Sequence, residues 1–124
     1  MNNFERIVSD LESAGTDYEI ETWLYNTKDQ KFITITPTTV DIQNSTTASI
    51  ITQNALEFRV RCRINQETNK LTVYKEFLAL FNDTLQGILK PFKINDGMKF
   101  VVDTDGRTNM LGLDFTIITP IEGE

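Results

Sequence analysis

The residues in this sequence whose spacing suggests chemistry are carboxylates, arginines and one thiol. Asp103-Thr104-Asp105-Gly106 follows the apolar run Phe100-Val101-Val102. A strand ending in two alternate aspartates can set one as a nucleophile and the next as an acid/base. Too few residues follow to complete such a site. Asp-Gly between two apolar runs signals a tight hairpin turn, and that is the expectation for Asp105-Gly106. A calcium loop would need a further ligand and a glutamate several residues on, yet no glutamate follows before Glu122. Asp17, Glu19 and Glu21 form an acidic cluster. As a catalytic pair they would need an apolar pocket to split their pKa values; a solvated or arginine-facing surface is expected for them.

The single cysteine, Cys62, has no histidine to activate it, because the chain contains none. The commonest general base and the commonest metal ligand are thus both missing. Cys62 is expected to be a small buried hydrophobe, and no cofactor, metal or catalytic residue is assigned.

Cys62 belongs to the most regular stretch of the chain, Leu56-Glu-Phe-Arg-Val-Arg-Cys-Arg-Ile64. Apolar and charged residues alternate, so a strand puts Leu56, Phe58, Val60, Cys62 and Ile64 on a dry face. Glu57, Arg59, Arg61 and Arg63 share the other. Three arginines on one face of a chain with net charge −6 call for an acidic counterpart. Glu19, Glu21 and Asp114 are candidates within the subunit. A neighbouring subunit is another source, and there Arg59, Arg61, Arg63, Glu19 and Glu21 would form the contact. The acidic balance disfavours non-specific nucleic-acid binding, which needs a basic footprint.

The elements that must position these residues follow from periodicity. Phe4, Ile7, Val8 and Leu11 mark a short helix over about 3–14, with Asn2 and Glu5 as a capping box. Tyr18–Tyr25 and Lys31–Thr36 are expected to form a hairpin, with Trp23 and Tyr25 on the face of Glu19 and Glu21. Residues 36–53 form a long connection in which Val40 and Ile42 could make a short strand. It is expected to be a plain hairpin loop or an arm that orders on assembly. A strand over about 54–65 then leads into a helix over about 70–89, with Val73, Phe77, Leu80, Phe81, Leu85 and Ile88 as its apolar stripe. Two more strands, Met98–Asp103 and Met110–Thr119, flank the Asp-Gly turn. The expected fold is a single α+β domain, 1–124, with a mostly antiparallel sheet of four to six strands, a long helix on one face and a short N-terminal helix. The N-terminus lacks the apolar run of a signal peptide, and no stretch is long enough to cross a membrane.

The second half resembles the tail terminator (tail completion) proteins of long-tailed phages and related contractile particles. The resemblance rests on the strand Phe58-Arg59-Val60-Arg61-Cys62-Arg63, the amphipathic helix Tyr74–Leu89, Asp103-Thr104-Asp105-Gly106-Arg107, and the apolar strand Leu111–Ile118. It covers about 54–119, supported by the first helix, and leaves 36–53 without a counterpart. It implies a structural virion protein, made in the host cytoplasm. Such a protein forms a hexameric ring that caps the tail tube, ends its polymerisation and meets the head connector, while DNA passes through without specific binding. A head–tail connector or baseplate adaptor is the nearest alternative within assembly. A small-molecule or peptide-binding α+β domain is the alternative of another class, with its ligand between helix and sheet.

Overall fold

A computed structural model describes residues 2–22, 30–43, 50–106 and 108–119. The elements are α1 (Asn3–Ser13), β1 (Glu19–Thr22), β2 (Lys31–Gln43), β3 (Ile50–Ile64), α2 (Lys70–Leu80), a π-helical turn (Phe81–Leu85), α3 (Gln86–Leu89), β4 (Lys93–Asp105) and β5 (Thr108–Ile118). The strands form one sheet in the order β1-β2-β3-β5-β4. Only the β1–β2 pair is parallel. The fold is α+β, as the element order implies.

The helices follow their local signals. Asn2 accepts a hydrogen bond from the Glu5 amide at 2.8 Å, and the Glu5 carboxylate accepts from the Asn2 amide, completing the capping box. Asn69 caps α2 by accepting from the Thr72 amide. The helix over 70–89 is not uniform. Its buried stripe runs Val73, Phe77, Leu80, Leu85, Leu89, with a five-residue step from Leu80 to Leu85. The π turn at Phe81–Leu85 absorbs that extra residue and keeps Leu85 and Leu89 on the stripe.

The helices cover one face of the sheet. Ile33 and Ile35 of β2 stand beside Val60 and Phe58 of β3, which stand beside Leu113 and Phe115 of β5. All six are buried. The Phe58 and Phe115 rings stack at 4.9 Å, and Phe81 meets Phe115 edge-on at 5.8 Å. With Phe77 and Leu85 these rings fill the space between helix and sheet.

Two expectations are corrected. β1 and β2 are parallel neighbours, with Glu19 against Phe32 and Glu21 against Thr34, rather than the arms of a hairpin. Side-chain alternation is the same for either strand direction, so it could not tell them apart. The placement of Trp23 and Tyr25 lies outside the described residues. Second, most of 36–53 is strand. β2 and β3 stay paired from Lys31–Cys62 out to Gln43–Ile50; the tip, 44–49, lies outside the described residues. β1 pairs β2 only over Phe32–Ile35, and β5 pairs β3 only over Ala55–Ile64. Beyond those limits, among the described residues, the two strands pair only with each other apart from the bond from the Thr119 amide to the Asn54 carbonyl, so the described part of the hairpin runs on past its neighbours as a two-stranded arm.

The Asp105-Gly106 turn is as expected. Asp105 pairs with Thr108, and Gly106 takes a φ of +60°. β4 starts earlier than the alternation suggests, at Lys93, because a bulge between Asn95 and Lys99 interrupts its register. Asp96 and Gly97 there have φ of 60° and 76°.

Candidate functional site

The sheet face away from the helices carries the candidate interface residues, and the strand register places them in rows. One row reads Glu21, Thr34, Arg59, Asp114, Lys99 across all five strands. The next reads Glu19, Phe32, Arg61, Gly112, Val101. Arg63, Met110 and Asp103 make a third. The acidic pair and the three arginines therefore share one face, separated by β2.

The arginines of the stripe have different fates. Arg61 is only 4% exposed. Its Nη1 donates to Asp114 Oδ1 at 2.5 Å and to the Val60 carbonyl at 3.0 Å; Nη2 donates to Asp114 Oδ2 at 3.3 Å. Nε donates to Asp103 Oδ2 at 3.2 Å. This two-toothed grip on one carboxylate, with a second carboxylate behind, satisfies a charge that burial alone would penalise. Gly112 makes the seat. A Cβ there would fall 2.8 Å from the Arg61 Cζ and 2.9 Å from a Val101 methyl. The expectation that Arg61 faces another subunit meets a guanidinium already held inside its own.

Arg59 is exposed, and among the described residues its one ion pair is with its strand neighbour Glu57, Nε to Oε1 at 2.7 Å. Arg63 lies over the buried Phe32 ring, 5.5 Å from its centroid. Its backbone is tied to Gln30, whose carbonyl accepts from the Arg63 amide at 2.8 Å. Glu19 is exposed and Glu21 half-buried. Neither is in an ion pair among the described residues. Arg59, Lys99, Glu19 and Glu21 are thus the charges of this face most open to a partner.

Asp103 has a structural partner in Arg61 and donates nothing to a cluster. Among the described residues no three of His, Cys, Asp and Glu gather where they could hold a metal. Cys62 is 3% exposed, and burial pushes its thiol pKa up, so it stays protonated at neutral pH. Tyr18 borders the acidic cluster. Its hydroxyl is buried without a hydrogen-bond partner, and its pKa lies well above the ordinary range. Burial is the main cause, and the nearby Cys62, Glu76 and Asp17 add to it.

Asp103 and Gly112 were not picked out as parts of this site by residue type. The signal for Gly112 was its position inside an alternating strand, where glycine marks close approach by a neighbouring group. No helix among the described residues is long and apolar enough to cross a membrane. Comparison of the whole sequence with protein families and with curated proteins finds no match.

Proposed function

We propose that this chain is a structural assembly protein of a phage tail or related particle, a tail terminator that closes the tube as a ring. The observation that carries this reading is the β2–β3 arm. Thr38, Thr39 and Asp41 on it are exposed, and among the described residues its strands beyond the sheet are paired only to each other. A lone two-stranded ribbon is marginal in water and gains by laying its open edges on another surface. An arm of this kind suits a subunit that reaches its neighbour or the end of a tube.

In the proposed ring the acidic β1 edge of one subunit, Glu19 and Glu21, meets the exposed Arg59 side of the next. A head-to-tail contact of two different patches is what a closed ring of six requires. The charge of −6 would let DNA slide through the ring without sticking. The ring's partners would be tail tube protein on one side and head connector on the other.

The test is light scattering with negative-stain electron microscopy, on the chain alone and mixed with tail tube protein. Rings of six, or tubes capped and halted by added chain, are expected. A chain that leaves tube growth untouched and forms no ring under either condition rejects the proposal.

A further inference from the structure

Besides the edges of the arm, the outer side of β4 is a long strand edge with no described neighbour. Past the bulge, β4 keeps unbroken register with β5 from Lys99 to Asp105, so its outward N–H and C=O groups form a regular template for another strand. The sequence of that template is Lys99-Phe100-Val101-Val102-Asp103, rich in aromatic and β-branched residues and flanked by opposite charges. Phe100 is 44% exposed and Val102 74%. The other exposed large hydrophobics among the described residues are Leu71, Tyr74 and Met98. All five sit on β4 or on α2, and Tyr74 lies against Phe100 with ring centroids 4.6 Å apart. Protective devices such as bulges and charges usually blunt an edge; here the bulge stops at Lys99.

We propose that this edge pairs antiparallel with the β4 edge of a second copy of the chain, about a two-fold axis through Val101. In that register Lys99 of each copy stands opposite Asp103 of the other, and Phe100 stands opposite Val102. Each pairing occurs twice, as a self-complementary contact requires. Other registers lose the match. A shift of two residues one way sets Lys99 against Val101, and the other way sets Val101 against Asp103. A parallel arrangement sets Lys99 against Lys99. Lys99 is exposed and in no ion pair among the described residues. The Asp103 side chain is 45% exposed while it holds Arg61, so it can face both. The pairing fuses the two sheets and brings Leu71 and Tyr74 of both copies over the joined Phe100 and Val102. A two-fold contact closes on itself, so it is separate from the head-to-tail contact of the ring and stands or falls without it.

Sedimentation velocity across micromolar concentrations, with hydrogen exchange of the same samples, tests it. Below the concentrations at which rings form, the chain alone is expected to sediment as a dimer, with amides of 99–103 protected more strongly as concentration rises. Lys99→Glu and Val102→Glu should each raise the dimer dissociation constant about tenfold or more, while thermal midpoints taken at dilutions where the parent is also monomeric shift by no more than a few degrees, because both side chains are exposed. A chain that stays monomeric overturns the proposal, and so does an association that Val102→Glu leaves intact. Association broken by Val102→Glu but indifferent to Lys99→Glu also overturns it, by showing a different strand on this edge, such as the β2–β3 arm of another copy.

Discussion

Arg61 is the residue on which the polar face of the sheet is organised. It crosses Gly112 and joins β3 to Asp114 on β5 and Asp103 on β4. Removing it leaves two carboxylates side by side with no cation between them. Arg61→Met keeps the stem and deletes the charge. It is expected to lower unfolding stability by roughly 1–3 kcal/mol, below the full cost of breaking a deeply buried pair because both carboxylates are partly exposed. Gly112→Ala should cost about as much by a different route, forcing the guanidinium off its seat. Urea denaturation followed by circular dichroism measures both. A loss under about 0.5 kcal/mol for Arg61→Met would show the grip to be dispensable. Tyr18 gives a pH signature. Its folded pKa lies above the ordinary value of about 10. The unfolded chain therefore releases this proton at lower pH than the folded one. The stabilising contribution is complete below about pH 10 and falls as pH rises beyond it. Tyr18→Phe should flatten that alkaline loss in melts taken across the pH range. It should cost little at neutral pH, since the hydroxyl has no partner to lose.

Legibility in the sequence divides cleanly among the elements. β3, the long helix, the capping box and the Asp-Gly turn carry strong local patterns, and each is where its pattern puts it. The direction of β1 was not legible, because a short strand's alternation reads alike both ways. The arm was only half legible. Thr36–Thr39 brings turn-type and small polar residues where a buried strand would alternate, and the exposed Pro37, Thr38 and Thr39 lie on no dry face that would impose that alternation. Of the site, the positive stripe was visible while the inward turn of Arg61 was not. That turn depends on Asp103 and Gly112, far away in sequence and close only through the β3–β5–β4 register. The arm also yields a prediction. Replacing 40–53 by Asn-Gly makes Thr39 and Asn54 the closing pair of a short hairpin. It spares the bond from the Thr119 amide to the Asn54 carbonyl. The shortened chain should fold, with a thermal midpoint within about 5 °C of the parent, and should no longer halt tube growth. If it caps tubes as well as the parent, the arm is not the element that reaches them.

At the scale of the whole molecule, the question is how a subunit of net charge −6 recognises copies of itself. General repulsion between like-charged subunits has to be overcome by local complementarity, which acts mainly on register and association rate. The charge row Glu21, Thr34, Arg59 offers both signs on one face, and Arg61 and Arg63 are engaged within the subunit. With Lys99 assigned to the β4 edge, the electrostatic choice of neighbour in the ring rests on Arg59 with Glu19 and Glu21. Arg59→Glu exchanges the Glu57 contact for like charge beside Glu57 and opposite Asp114, so a loss of fold stability of up to about 1 kcal/mol is expected, measured on the monomer alongside assembly. Ring formation should need about tenfold more protein, equivalent to about 1.4 kcal/mol per contact. Glu21→Arg alone should be similarly defective. The double variant, Arg59→Glu with Glu21→Arg, should recover most of the loss, because the swapped charges again face each other across the contact. Raising salt should weaken the parent and the double variant and narrow their gap from the single variants, as screening of exposed charges demands. Light scattering across protein and salt concentration reads all four chains. A double variant no better than either single one would mean that these charges do not meet, and the acidic β1 edge would lose its place in the ring.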